Sequence, residues 1–178
     1  ESRDWSSDVC SSDLKVLVSY VGSYVDSATA KDLALTQYAN NADTVFVAAG
    51  PASVGVIEAA AESKKYVIGV DSDQAEAYAG KPEQEFIISS AIKNVGESLY
   101  LSVEKAAADK LPFGEAEVLG LKDGVVGIAE NDIYKKEVPE DVQKKVEDAK
   151  QDILGGKVTV DTAYGMEESK LKSIISGE

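Results

Sequence analysis

The segment DTVFVAAGPASVGVIEAAAESKKYVIGVD, residues 43–71, decides the fold class. It holds two short runs rich in β-branched residues, Asp43–Ala49 and Tyr66–Val70, which are typical of buried strands. Between these runs, Gly50 and Pro51 open a stretch in which apolar residues recur at helical spacing, and proline suits the first position of a helix. Since parallel strands need a crossover between them, the segment predicts a β-α-β unit.

The same alternation continues on both sides of this segment. Toward the N-terminus, the spacing predicts a strand over Lys15–Val21 and then a helix that Asp26 or Ser27 can cap. Toward the C-terminus, Phe86–Ile92 reads as a further strand. Repeated strand–helix steps are typical of parallel strands that are joined by right-handed crossovers. We therefore predict an α/β protein with a parallel sheet flanked by helices.

The last third of the chain is patterned less regularly. After the strand over Phe86–Ile92 we expect a helix with an apolar face made of Val95, Leu99, Val103 and Ala106. An Asp-Gly turn between Glu117–Leu121 and Val125–Ala129 predicts a hairpin. A last helix is expected from Pro139 to the glycine pair at 155 and 156. Residues 157–178 are polar and weakly patterned.

Composition narrows the range of functions. The 178 residues carry a net charge of −14, with 18 basic and 32 acidic side chains, no His and one Cys. The acidic balance disfavours nucleic acid as a partner. The sequence contains no His, no phosphate-binding loop and no Gly-x-Ser-x-Gly motif, so it favours neither catalysis nor a cofactor. A metal site made by Asp26, Asp71 and Asp73 is conceivable, but we predict no metal.

The first 14 residues differ from the rest. They contain the only Trp, the only Cys and the only Arg of the chain, together with five Ser and three Asp. Residues 1–14 resemble a translated sequencing-adaptor tract, and we interpret them as foreign to the protein. A natural polar linker is the alternative. Without this tract the net charge becomes −11, because four acids and one base are removed.

Candidate binding residues follow the predicted strands. In an open parallel sheet, ligands bind beyond the carboxyl ends of the strands. Tyr24 follows the first predicted strand, Gly50 the second, Asp71 the third and Lys93 the fourth. An aromatic face, a close backbone approach and a carboxylate suit a neutral polar ring compound such as a nucleoside or a sugar.

Each of these four residues also has an ordinary structural interpretation. Asp71 could form a turn or cap a helix, and Gly50 could serve only a turn. Tyr24 could be a surface aromatic residue, and Lys93 a solvated lysine. No single residue decides the function.

Several strings together carry a resemblance to a known family. These are Lys15–Tyr24, Ala48–Gly50 with Gly55 and Val56, Gly69–Gln74, Ser89–Lys93 and Val125–Asn131. The most specific is Gly-Val-Asp-Ser-Asp-Gln at the end of a strand. Residues 15–178 resemble the basic membrane protein family. Its members are substrate-binding lipoproteins of ABC importers, and they are related to the purine-nucleoside receptor lipoprotein.

The resemblance implies a type I periplasmic-binding-protein fold, in which two lobes close on a ligand. It implies that Tyr24 stacks on the base, where the family more often has Phe. It further implies that Gly50 contacts the ligand through its main chain, that Asp71 binds the ribose hydroxyls and that Lys93 completes the polar contacts. Pro51 stands where the family has a second glycine, which removes one N–H donor.

Full members of the family are roughly twice as long, so the resemblance implies that residues 15–178 are the C-terminal part of a receptor. Residues 15–87 would belong to the second lobe. Residues 88–131 would return through part of the hinge to the first lobe, and residues 132–178 would add to the second lobe and form the tail. The implied partners are a nucleoside and the ABC permease subunits. The implied location is extracytoplasmic, with the membrane reached only through a lipid anchor outside this segment.

Two other classes of protein remain as alternatives. The effector-sensing domain of a transcription regulator uses the same fold and would need a helix-turn-helix module upstream. A flavodoxin-like or sugar-isomerase-like enzyme should instead show a phosphate loop or a catalytic acid–base pair.

Overall fold

The structure is a computed structural model that describes residues 16–160, 162, 163 and 165–176. The predictions for residues 1–14, and for Lys15 as a strand residue, therefore lie outside the described residues. The chain divides into two compact units. One is Ser19–Pro139, and the other combines residues 16–18 with the described residues from Glu140 onward. Each unit is described by itself.

The unit Ser19–Pro139 is built on a four-stranded sheet. Its strands, in spatial order as well as chain order, are β1 (Thr44–Phe46), β2 (Tyr66–Asp71), β3 (Ile87–Lys93) and β4 (Val126–Ile128). The pairs β1–β2 and β2–β3 are parallel, and β3–β4 is antiparallel. A sheet dominated by parallel pairing, with helices between its strands, confirms the predicted α/β class.

The helices of this unit are α1 (Ser27–Ala39), α2 (Ser53–Ser63), α3 (Gln74–Ala77), α4 (Val95–Ala107) and α5 (Asp132–Glu137). Asp26 caps α1 as predicted, since its carboxylate accepts hydrogen bonds from the backbone N–H of Thr29 at 3.0 Å and from the Thr29 hydroxyl at 2.7 Å. The backbone bond from Thr29 is the largest cause that lowers the pKa of Asp26. Pro51 lies in a 3-10 turn, Gly50–Ala52, that leads directly into α2.

The core lies where α1 and α2 pack beside the sheet. Val67 of β2, Ile87 of β3 and Ile57 of α2 are fully buried. The two helices approach closely at Gly55, because a Cβ atom built there would lie 1.9 Å from the carbonyl oxygen of Ser27. This core holds the ends of β1 and β2 in place.

The prediction of a strand over Lys15–Val21 is wrong for its described part. Residues 16–21 form no strand, and Val16, Val18 and Tyr20 are 66%, 69% and 73% exposed. A strand persists only where a neighbour satisfies its backbone N–H and C=O groups. The four described strands pair only with one another, and the described residues 16–21 are not part of their sheet.

The predicted hairpin over Glu117–Ala129 is also wrong. Val126–Ile128 pairs with β3, where Ala91 faces Ile128, and residues 117–120 form no strand. The Asp-Gly signal instead ends a 3-10 turn, Leu121–Asp123, at Gly124 with φ +72°. Val118, in the segment that was expected to form the other arm of the hairpin, is 86% exposed, whereas β3 offers β4 its last three residues. Similarly, β1 is shorter than the predicted Asp43–Ala49, although the N–H of Val47 still bonds the Ile68 carbonyl at 3.0 Å.

The other unit contains two helices among its described residues, α6 (Glu140–Leu154) and α7 (Glu168–Ser176). The first confirms the helix predicted after Pro139, which ends before Gly155. The helices α5 and α7 were not predicted. Within the described ranges, none of the helices has the length and apolar character that crossing a bilayer would require.

Candidate functional site

A cavity of about 300 Å³ lies at the carboxyl ends of β1 and β2. Its lining includes Gly50, Pro51 and Ser53 before and at the start of α2, and Gly69, Val70 and Asp71 at the end of β2. Two predicted site residues, Gly50 and Asp71, therefore line one cavity. Its volume is at the lower end of the range of small-molecule pockets.

Tyr24 lies against Gly50. A Cβ atom built on Gly50 would lie 3.3 Å from Cδ1 of Tyr24, and Gly50 has φ +57°, a conformation that favours glycine. The backbone also connects the two segments, since the N–H of Ala52 donates to the Tyr24 carbonyl at 2.8 Å. Tyr24 is 75% exposed, so much of its ring remains available beside the cavity.

Asp71 ends β2 with φ +71°, which is uncommon for a residue other than glycine. Its Oδ1 forms an ion pair of 2.8 Å with Nζ of Lys93. The register explains this contact, because Asp71 faces Ile92 on β3 and Lys93 is the next residue. Both side chains are more than half exposed, so the pair adds little to stability and both groups remain accessible.

The turn after Asp71 is held by hydrogen bonds from several elements. The N–H of Gln74 donates to the buried Ser90 hydroxyl at 3.1 Å, and the Gln74 side chain donates to the Val70 carbonyl at 3.1 Å. Asp73 caps α3 by accepting from the N–H of Ala75, and Nδ2 of Asn131 donates to both of its carboxylate oxygens. Asp73 is thus structural, whereas Asp71 is bonded only to Lys93 among the contacts described.

The four predicted residues are therefore linked in space. Tyr24 touches Gly50, Gly50 shares a cavity with Asp71, and Asp71 pairs with Lys93. This set offers an aromatic face, a backbone approach, a carboxylate that accepts hydroxyl hydrogens and an ammonium that donates. Within the described ranges, no three His, Cys, Asp or Glu side chains are grouped as a metal site would need.

Sequence reasoning missed Ser53. The residue lines the same cavity as Asp71, although its Oγ is shielded from solvent and has no hydrogen-bond partner among the described residues. The sequence offers only a serine after Gly50-Pro51-Ala52, which gives no sign of burial.

A mainly parallel sheet with a cavity beyond the carboxyl ends of β1 and β2 places the chain among the open-sheet α/β proteins, and solved structures share this fold. A solute-binding protein of an ABC transporter system from Aeropyrum pernix K1 superposes with a TM-score of 0.72 at 22% identity, over 89% of this chain and 50% of that one. A transcriptional activator of the comK gene from Bacillus halodurans gives a TM-score of 0.63 at 27% identity, over 75% and 44% of the two chains.

The chain belongs to the Bmp family of PnrA-like ABC transporter substrate-binding proteins, whose sequence model matches residues 10–160. The ABC transporter nucleoside-binding protein BmpA of Lactococcus lactis is 33% identical over 163 residues, which cover 84% of this chain and 44% of that protein. Basic membrane protein A of Borreliella afzelii is 32% identical over 166 residues, which cover 92% and 49% of the two chains. The resemblance inferred from the sequence is confirmed, and the chain spans about half the length of these curated relatives.

Proposed function

We propose that this chain is part of the substrate-binding component of an ABC importer, and that its ligand is a nucleoside. In this proposal Tyr24 stacks on the base, Gly50 approaches the ligand through its main chain, Asp71 accepts the ribose hydroxyls and Lys93 completes the polar contacts. In this proposal the protein binds its ligand and does not transform it, in keeping with its membership of a family of substrate-binding proteins.

The observation that carries the proposal is the backbone conformation of Asp71, together with the exposure and pairing of its side chain. It ends β2 in a left-handed conformation, its carboxylate is 58% exposed, and its ion-pair partner Lys93 lies on the neighbouring strand. Backbone conformations of this kind cost free energy and are concentrated at ligand-binding positions. A carboxylate placed in this way can accept two vicinal hydroxyl groups, as acidic residues do for ribose in dinucleotide sites.

Family membership supports the wider role. We infer that the complete protein delivers its ligand to ABC permease subunits on the outer side of the cell membrane, and that a lipid anchor holds it there. The ligand would be enclosed between two lobes, and closure of the lobes would signal loading to the permease.

A second candidate function is the effector-sensing domain of a transcription regulator, which the similarity to the Bacillus halodurans activator favours. The two candidates differ in what precedes the shared fold. A signal peptide with a lipid-attachment cysteine in the full-length gene product would support the importer, and a helix-turn-helix module would contradict it.

The ligand assignment is tested by calorimetric titration of the full-length gene product with guanosine, inosine and ribose. We expect the nucleosides to bind and Asp71→Asn to weaken them about 10- to 100-fold, since each charged hydrogen bond contributes roughly 1.5–3 kcal/mol. Asp32→Asn is the matched control, because Asp32 is an exposed acid on α1 away from the cavity lining.

Two results would contradict the proposal. Binding of no nucleoside would remove the ligand class. An affinity that Asp71→Asn leaves unchanged, relative to Asp32→Asn, would remove Asp71 from the site.

A further inference from the structure

Asp71 is the central residue of a strained turn. The N–H of Ser72 donates to the Val70 carbonyl at 3.0 Å, and Asp71 between them has φ +71°. A three-residue turn of this kind with a positive φ at its centre is the rare and strained form of the γ-turn. Such a conformation persists only where the surrounding structure holds it. The contacts that hold this turn therefore decide how the Asp71 carboxylate is presented.

Asn131 bonds to this turn from a distant part of the chain. Its Nδ2 donates to both carboxylate oxygens of Asp73, at 3.0 and 3.1 Å. Its Oδ1 accepts from the N–H of Tyr134 at 2.9 Å and so caps α5. Because the carboxylate accepts and the backbone N–H donates, both ends of the amide are used and its orientation is fixed.

Asn131 is itself held in place by β3. Two residues before it, the N–H of Ala129 donates to the Ser90 carbonyl at 2.8 Å, and the Ala129 carbonyl accepts from the buried Ser89 hydroxyl at 2.9 Å. The Ser90 hydroxyl also accepts from the N–H of Gln74 at 3.1 Å. The turn is thus fixed from two sides, by β3 and by the start of α5.

Capping of α5 does not by itself require an asparagine at position 131. Serine and aspartate cap helices as well as asparagine does. Neither of them has an amide group that can donate to both oxygens of a neighbouring carboxylate. The contact with Asp73 is therefore the part of the role of Asn131 that only its amide fulfils.

We infer that Asn131 is a positioning residue for nucleoside binding, which holds Asp73 and so keeps the turn at Asp71 in the strained form that presents its carboxylate to the ribose. This inference rests on the proposed function. Without the contact the turn can relax, and the apparent affinity falls with the fraction of molecules that keep it. Because Asn131 acts through Asp71, its loss affects only ligands that carry the two vicinal ribose hydroxyls.

The test measures nucleosides with and without these hydroxyls by calorimetry on the full-length gene product. Guanosine and inosine are each compared with their 2′,3′-dideoxy derivatives, and the unmodified protein should prefer the nucleosides. The variant is Asn131→Ser, because serine retains a capping oxygen for α5 and lacks the amide that donates to Asp73. We expect it to weaken the nucleosides about 5- to 100-fold and the dideoxy derivatives less than about 2-fold.

A matched control and a second variant accompany this comparison. Asn40→Ser is the control, because the Asn40 amide donates to the Thr36 carbonyl at the end of α1, and it should leave every affinity unchanged. Asn131→Asp also retains a capping oxygen but places a second carboxylate against Asp73. It should weaken guanosine at least as much as Asn131→Ser does. Both variants at position 131 should still unfold cooperatively in a thermal melt without ligand, because each keeps the cap of α5.

Three results with the variants would overturn the inference. Equal weakening of nucleosides and dideoxy derivatives by Asn131→Ser would show a general effect on structure, and unchanged affinity for both would show no effect on the site. Loss of the fold in both variants would show that Asn131 holds the fold and not the site. If the unmodified protein binds no nucleoside, or binds nucleosides and dideoxy derivatives equally, the proposed function fails before any variant is compared, and the inference fails with it.

Discussion

At the scale of single residues, two carboxylates at the end of β2 have different roles. Asp73 accepts hydrogen bonds from Ala75 and Asn131 and so fixes the turn into α3. Asp71, two residues earlier, takes a left-handed backbone conformation and faces only Lys93 among its described contacts. Because Asp73 already holds the turn, the turn does not depend on the carboxylate of Asp71.

Gly50 offers a prediction at the same scale. Gly50→Ala should lower the free energy of unfolding by about 1–2 kcal/mol, because an L-residue is strained in the left-handed region. It should also weaken nucleoside binding, since the new Cβ would press on the Tyr24 ring at 3.3 Å. Urea denaturation measures the first effect and calorimetry the second.

Gly80→Ala is the matched control for this variant. Gly80 has φ +79°, and a Cβ atom there would meet nothing within 4 Å. It should cost similar stability and leave binding unchanged. Equal binding by the two variants would show that contact between Gly50 and Tyr24 does not shape the site.

The positions of Gly50, Asp71 and Lys93 could be anticipated from the sequence because they follow or end strands that the structure contains, whereas the strand predicted before Tyr24 is not formed by the described residues 16–21. Parallel strands have their carboxyl ends at one edge of the sheet, so Asp71 and Lys93 had to approach one another once β2 and β3 paired. Ser53 could not be anticipated in this way. Its burial depends on how α2 packs over the end of the sheet, and no pattern in the sequence records that packing.

At the scale of elements, α1 and α2 pack through a single point of closest approach. Gly55→Ala should destabilise the chain by about 3 kcal/mol or more, because its Cβ would lie 1.9 Å from the backbone oxygen of Ser27 and only a shift of α1 could relieve the clash. Urea denaturation measures the loss.

Gly96→Ala is the corresponding control in α4. Its Cβ would meet only the Asn94 side chain, at 3.6 Å. Replacing this helical glycine should raise stability by about 0.5–1 kcal/mol, since alanine loses less backbone entropy. If Gly55→Ala were as stable as Gly96→Ala, the close approach of α1 to α2 would be wrong.

The helices α1 and α2, which have clear local start signals, were predicted correctly, whereas the pairing of two apolar runs was not. The helix α1 has its cap in Asp26, and α2 has Pro51 in the turn that leads into it. The run over Lys15–Val21 has strand composition, but its described residues 16–21 join none of the described strands, and β4 pairs with β3 although an Asp-Gly turn precedes it. Pairing is a property of the whole sheet and is not encoded in the run itself.

At the scale of the whole molecule, the helix α4 has an apolar face that is exposed to solvent in the described structure. No residue of α4 is buried, and Val95, Leu99 and Val103, which share one face, are 51%, 62% and 67% exposed. A contiguous exposed apolar face marks an interaction surface. Since the curated relatives are about twice as long, we propose that α4, within residues 88–131, enters a first lobe whose core covers this face, while β3 and β4 at the ends of that range remain in the sheet with β1 and β2.

This arrangement makes opposite predictions for one double variant in two proteins. In the present chain, Leu99→Ser with Val103→Ser should change the free energy of unfolding by no more than about 0.5 kcal/mol, because both side chains are exposed. In the full-length gene product the same pair should cost about 3 kcal/mol or more, because two buried apolar side chains would be lost. Urea denaturation of both proteins provides the comparison, with Val160→Ser, another exposed valine at 56%, as the control that should be silent in each. A full-length product as tolerant of the double variant as the present chain would show that α4 faces solvent in the complete protein and does not enter a first lobe.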